Sequence, residues 1–269
     1  MFKRKINLSL YLSAWILIAL SGCNSYQKIL NSTDYEYKFT RAKEFYNSGD
    51  YGKALPIFEE LMTVWRGQKN VEAIYYHYAY SHYCLHDYTT AGYYFKNFTE
   101  FYPNSAWAED ASYMVGQCHY EMSPPISLDQ TETQKAIDAL QIFANTYPAS
   151  TRLEKSNGLI TILRHKLERK AYETANLYYK LKRYKSAATA FKNLLNEFPD
   201  TPLREEAMYL TTKSYFLLAE NSIETKRKER YDLAVNAYLD FIDNFPQSKY
   251  LRDAENIYET SNKYLKKTE

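Results

Sequence analysis

The sequence predicts an all-α fold, a solenoid of about five helical hairpins closed by a C-terminal capping helix. An alanine-centred frame carries that expectation first. In DYTTAGYYFKNFTEFYP, Ala91 has Tyr88 three residues before it, Phe95 four after it and Pro103 twelve after it. Comparable frames centre on Ala54 (Tyr51, Phe58, with Arg66 at the proline slot), Ala136 (Thr133, Leu140, Pro148), Ala187 (Tyr184, Phe191, Pro199) and Ala234 (Tyr231, Tyr238, Pro246). Ahead of each anchor lies a further apolar-periodic segment, set off by a polar turn such as Asn47-Ser48-Gly49-Asp50 or His86-Asp87. Only 7 glycines occur in 269 residues, and few alternating β-branched runs compete with helix.

The physical sense of the frame is local. Alanine followed four residues later by a large side chain puts both on one helical face. The small residue lets a neighbouring helix approach, and the aromatic fills the space beside it. Proline then ends the helix, because it lacks an N–H and clashes with the preceding turn. A hairpin of this kind cannot bury its apolar face alone, so neighbours must stack.

In chain order, the first element is a segment for export. Lys3, Arg4 and Lys5 precede an apolar stretch from Leu8 to Leu20, shorter than the roughly 20 residues a membrane span requires. Residues 1–22 therefore read as a secretory signal peptide. The stretch closes on Leu20-Ser21-Gly22-Cys23, which resembles the lipobox of bacterial lipoproteins. The resemblance implies a diacylglyceryl thioether and an N-acyl chain of palmitate type on Cys23; an ordinary signal with a stray cysteine is the alternative. Triacylation exceeds the two hydrophobic signals that stable anchoring takes. Residues 23–34 are polar and aperiodic and read as a lipidated tether.

Hairpins follow over 35–150 and 151–269. Ser123-Pro124-Pro125-Ile126-Ser127-Leu128-Asp129-Gln130 splits the third hairpin as a loop. Thr151 to Glu168 reads as a lengthened first helix of the fourth, and Asn221 to Glu229 as a charged insertion in the fifth. Lys249 to Lys266 makes the cap, with Leu251, Ala254, Ile257, Tyr258 and Leu265 on its apolar side.

Loss of residues 1–22 turns the formal charge of +2 into about −1, from 31 basic against 32 acidic residues. No basic footprint for nucleic acid remains. Beyond Cys23 only Cys84 and Cys118 are left, either a pair on neighbouring helices or two buried thiols behaving as small apolar residues. His77, His82 and His86 lack the further converging ligands that a zinc site needs. No nucleophile elbow, phosphate loop or spaced carboxylate pair is present, so neither an enzyme, a cofactor nor a metal is expected. Lys226-Arg227-Lys228-Glu229-Arg230 reads as a solvated run or as a contact for anionic partners.

Residues 72–105 resemble the tetratricopeptide repeat through Tyr75, Tyr78-Ala79, His82, Asp87-Tyr88, Ala91, Phe95 and Pro103. Residues 35–66 do so through Ala42, Phe45, Gly49-Asp50-Tyr51, Ala54, Phe58 and Leu61. With the lipobox, Tyr113-Met114-Val115-Gly116, the loop through Asp129-Gln130-Thr131, and Phe143 through Tyr147-Pro148-Ala149-Ser150, the chain resembles the BamD family of lipoproteins. These belong to the machinery that assembles β-barrel proteins in the outer membrane. The resemblance implies a scaffold anchored in the outer membrane and facing the periplasm. Its N-terminal hairpins would recognise unfolded outer-membrane protein segments. Its C-terminal ones would dock a BamA-type barrel subunit and other assembly lipoproteins. Repeat lipoproteins that coordinate cell-wall or division enzymes, and glycan-binding surface lipoproteins, are the other classes compatible with the pattern.

First helices of stacked hairpins line one side of such an array. Phe39, Lys43 and Tyr46, then Tyr76, Tyr80 and Tyr83, then Tyr113, Gln117 and Tyr120 fall at helical spacing on that side. They are expected to form an aromatic groove for an extended peptide, since tyrosine offers area at low entropic cost and a hydroxyl for stray backbone groups. The alternative is that these rings fill gaps between helices.

Overall fold

The computed structural model describes residues 25–65 and 70–267, which are helical throughout with no strand among them. The expected signal peptide, the expected lipidation site Cys23 and Arg66 lie outside the described residues. A short helix α1 (residues 25–30) precedes five pairs and a cap. The pairs are α2 (Tyr35–Asn47) with α3 (Tyr51–Val64), α4 (Val71–Cys84) with α5 (Tyr88–Phe101), and α6 (Ala108–Met122) with α7 (Thr131–Thr146). They continue with α8 (Leu153–Lys180) and α9 (Tyr184–Glu197), then α10 (Arg204–Glu220) and α11 (Glu224–Asn244), before the cap α12 (Leu251–Lys267). This is the tetratricopeptide-type array expected from the frame.

The frame works as the spacing implies. Ala54, Ala91, Ala136, Ala187 and Ala234 are all fully buried, as are Phe58, Phe95, Leu140 and Phe191 four residues on. Pro103, Pro148, Pro199 and Pro246 each stand two residues beyond a helix end. Inside three hairpins the turn is made by one residue in the left-handed region, Gly49 (φ 80°), His86 (φ 62°) or Lys182 (φ 57°). In each turn the following N–H reaches back to a carbonyl of the first helix: Asp50 to Phe45 at 2.8 Å, Asp87 to His82 at 3.0 Å and Arg183 to Tyr178 at 2.9 Å. This backbone closure lets histidine and lysine take a conformation that glycine adopts at no steric cost.

The chain divides into two compact units. The first holds α1 to α7 and α8 up to Ile160; the second holds 124–130 and Thr161 onward. In the first, consecutive helices from α2 to α7 pack on one another. Lys38 of α2 is 2% exposed, with Nζ 2.7 Å from both carboxylate oxygens of Glu60 on α3, so the buried charge is paired. In the second, α9 through α12 pack in sequence and α12 also reaches α10. One cluster joins Ala175 of α8 to Phe191, Leu194, Tyr209, Phe241 and Ala254.

Three features differ from the sequence reading. The tether is partly structured: Ile29 of α1 is buried in the cluster of Ala54, Ile57, Phe58 and Leu61. The lengthened first helix is one 28-residue helix, and the units part within it rather than at residue 150. The charged insertion before 230 is mostly the start of α11. There Arg227 Nε donates to Ser222 O at 3.1 Å, and Arg230 bonds the Ser222 hydroxyl. These cations thus close the C-terminal end of α10, where a helix dipole favours positive charge. Cys84 and Cys118 are free thiols; burial pushes Cys118 up to about 12.

Candidate peptide-binding site

The aromatic positions divide into an open set and a closed set. The open set starts at Tyr46 on α2, whose ring lies 6.0 Å from Tyr80 on α4 and 5.5 Å from Tyr51. Tyr80 continues to Tyr83 at 5.9 Å, and Tyr83 to Tyr88 at 5.4 Å. All five rings are half-buried. Burial pushes the Tyr83 hydroxyl up to about 12, so it stays a neutral hydrogen-bonding group at any physiological pH. Gln117 and Tyr120 on α6 are half-buried too. Phe39 is half-buried, edge-on to Trp65 at 5.5 Å and covered by Lys43.

Tyr76 and Tyr113 form the closed set, and neither is a groove wall. Tyr76 is 8% exposed; its ring stacks on Trp107 at 5.9 Å and its hydroxyl donates to Asp110 on the next first helix. Tyr113 is 2% exposed beneath Arg152 and Lys155, at 5.0 and 5.5 Å from its ring. It donates to Gln117 Oε1 at 2.9 Å, which fixes that amide in turn. Arg152 also pairs with Asp110. The two rings therefore fill the space between successive hairpins. Of the repeat positions on α4, Tyr75 and His82 are half-buried, whereas Tyr78 is buried.

The Tyr76–Asp110 contact recurs in the second unit. Tyr209 donates to Asp253 at 2.6 Å, and Tyr172 bonds Glu206. Each acceptor is the third residue of the following first helix or cap, where the helix N-terminus favours a carboxylate. The bond from Tyr209 holds Asp253 below the usual carboxylate range.

A second repeated contact escaped the sequence reading. Two residues after each hairpin-ending proline stands a hydroxyl: Ser105, Ser150, Thr201 and Ser248. Each Oγ accepts the N–H two residues on, at 3.0 to 3.3 Å. Three of them also donate to a carboxylate of a preceding first helix: Ser150 to Glu109 at 2.5 Å, Thr201 to Glu168, and Ser248 to Glu205 at 2.6 Å. The signal was in the sequence, as a Ser or Thr two places after proline at four hairpin ends.

The histidines have structural surroundings. His82 Nδ1 lies 3.0 Å from Asp87 and His86 Nδ1 2.6 Å from the Tyr88 hydroxyl. His77 sits between Tyr46 at 4.5 Å and Phe58 at 5.7 Å, and burial, with Lys43 nearby, lowers it to about 4. No group of residues able to hold a metal ion occurs among the described residues.

In the second unit a cleft of about 900 Å³ opens between Ile126-Ser127, α8 and Pro202-Leu203. Lys170 Nζ fixes its rim by donating to the Ile126 and Leu128 carbonyls at 2.8 and 2.6 Å. Arg169, Glu173 and Lys180 give the lining both signs of charge, and exposed Leu177 adds an apolar contact.

No helix among the described residues is long and apolar enough to cross a membrane. A family model described as YfiO, outer membrane lipoprotein, matches residues 32–233, which take in the first four hairpins and most of the fifth. No curated protein matches the chain.

Proposed function

From a chain that belongs to the YfiO family of outer membrane lipoproteins, we propose a scaffold of BamD type, anchored through lipid on Cys23 and facing the periplasm. It acts by binding, within the machinery that inserts β-barrel proteins into the outer membrane. The family match over the hairpins carries this reading. The aromatic stripe of Tyr46, Tyr80 and Tyr83 supplies its chemistry.

An unfolded barrel protein presents extended segments in which apolar and aromatic side chains alternate with polar ones. Half-buried tyrosines suit such a guest. Their rings offer flat area already ordered by neighbours, and their hydroxyls accept or donate to backbone groups that have not yet found a strand partner. Hairpins one to three form the substrate-recognition half in this reading, with Gln117 and Tyr120 extending the stripe. Residues 151–269 dock the BamA-type subunit and other assembly lipoproteins. The mixed-charge cleft at Lys170 and Lys180 is the candidate contact there, since paired charges of both signs select a partner more than they add affinity.

Affinity capture with the full-length acylated protein from detergent-solubilised outer membranes tests this. Recovery of a BamA-type barrel subunit is the expected result. Its absence, or recovery of peptidoglycan enzymes in its place, overturns the proposal.

A further inference from the structure

The stretch between the acyl-acceptor cysteine and the first hairpin is much shorter than a polar linker of residues 23–34 implies. Tyr26 donates its hydroxyl to the Lys53 carbonyl on α3 at 3.0 Å and meets Phe45 of α2 edge-on at 5.7 Å. Ile29 is 2% exposed within the core of the first pair, and Leu30 packs beside it. Asp34 then caps α2 by accepting the Tyr37 N–H at 3.0 Å. From Tyr26 onward the chain is therefore fastened to α2 and α3. Helix α1 does for the first hairpin what a preceding repeat does for the others, covering its outer apolar edge.

Helix α1 begins at Ser25, so the chain from Cys23 to the start of α1 spans two residues, a reach of at most about 7 Å when fully extended. The polar layer on one side of a bilayer is itself about 5–8 Å thick. We infer that the seating of Tyr26 and Ile29 holds the first hairpin against the lipid headgroups of the membrane that carries its anchor, making α1 and the adjoining end of α3 a membrane-apposed surface. The inference rests on the lipoprotein reading above, because it takes Cys23 as the acylated residue.

Charge does not provide this contact. Residues 25–65 carry five Lys or Arg against six Asp or Glu. Arg41 pairs with Glu44 and Lys53 with Asp50, so there is no excess of cations to adsorb onto anionic lipid. Covalent attachment and the docked α1 set the distance, and the distance is consequently insensitive to salt. A function follows for the hairpin itself. Tyr46 lies on the same helical pair, so the start of the aromatic stripe is held at a fixed, short distance from the bilayer into which a barrel strand must go.

The test uses the full-length acylated protein in phosphatidylethanolamine and phosphatidylglycerol vesicles that contain a dansyl-labelled lipid as energy-transfer acceptor. Trp65 is the donor in a Trp107→Phe background, since Trp15 leaves with the signal peptide. A comparison protein carries a Gly/Ser insert of about 10 residues after Asn24, which adds about 17 Å of mean reach. The expected result is strong transfer in the short-linked protein, a severalfold fall in the insert, and no change on adding salt. Equal transfer in the two proteins, or transfer that salt abolishes, overturns the inference. Mass spectrometry of the same sample separates the two levels: an unacylated Cys23 refutes the lipoprotein reading itself, whereas acylation with equal transfer refutes only the docked-linker geometry.

Discussion

Replacing Tyr76 by alanine should destabilise the first unit severely, whereas the same change at Tyr80 or Tyr83 should not. Tyr76 is 8% exposed and touches Trp107, Phe95 and Phe98 as well as Asp110. Truncating a buried aromatic to alanine costs about 3–5 kcal/mol. Tyr76→Phe isolates the hydroxyl. Asp110 keeps Arg152 in that variant, so the loss should stay within the roughly 1.5–3 kcal/mol of a hydrogen bond to a charged group. Tyr80 and Tyr83 are only half-buried, and each should lose about 1–2 kcal/mol, scaled from the same series. Urea unfolding followed by tryptophan fluorescence reads this unit, because Trp65 and Trp107, the tryptophans among the described residues, both lie in it. Peptide titration supplies the complementary measurement. Tyr80→Ala and Tyr83→Ala should weaken binding of an aromatic-ended β-strand peptide while the unfolding midpoint moves clearly less than in Tyr76→Ala. A Tyr76→Ala protein with a midpoint near that of the parent would refute the division into open and closed rings.

Two further outcomes come from particular sites. A β-carbon on Gly116 would lie 2.6 Å from Leu140 Cγ and 3.2 Å from the Leu140 backbone nitrogen. Gly116→Ala should therefore lose about 1–3 kcal/mol to overpacking against a helix-propensity gain of about 1 kcal/mol. Gly158→Ala, with nothing within 4 Å, should instead gain about 0.5–1 kcal/mol; the two urea midpoints moving the same way would contradict the packing argument. His77 binds its proton near pH 6.5 when unfolded but only at about 4 when folded. Its contribution is complete above pH 6.5 and is lost as the pH falls towards 4, because the unfolded chain then binds the additional proton. His77→Phe keeps a ring between Tyr46 and Phe58 and should flatten the stability profile in that window; an unchanged slope would assign the acid sensitivity to other groups.

The alanine frame was readable because its logic is local: a small residue and a large one four places on share a face whatever the rest of the chain does. The division of the tyrosines was not. Tyr76 and Tyr80 are the same residue type one turn apart, and what buries the first is Trp107 and Asp110, brought in by the next hairpin more than thirty residues later. Periodicity reports which face a residue is on, not what the neighbouring hairpin places over it. Helix α1 was missed for a different reason. Six helical residues with one fully buried side chain, Ile29, are too few to establish a period. The parting of the units lies within α8, an unbroken helix with no proline, glycine pair or charge run at Ile160 to mark it.

In the peptide-binding role proposed above, the closed rings matter although they do not form the binding surface. Tyr76 is bonded to Asp110, Asp110 to Arg152, and Arg152 covers Tyr113, so the first helices of the second and third hairpins are held together by a chain of polar contacts around buried rings. Gln117, at the end of that chain, is fixed by Tyr113 on one side and by Glu121 at 2.8 Å on the other. Tyr80 and Tyr83, on the first helix of the second hairpin, are thereby mounted on a framework that would not have to order when a peptide arrives. Immobilising a rotamer-rich side chain on binding costs about 0.5–1.5 kcal/mol, and rings already half-buried among neighbours have given up most of that freedom in folding. Loss of the Asp110 bridge should then weaken binding without touching the binding surface. In Asp110→Asn the amide still accepts from Tyr76 but no longer offers Arg152 a charge, and affinity should fall while helicity persists. An Asp110→Asn protein that binds as tightly as the parent would mean that the open tyrosines need no such support.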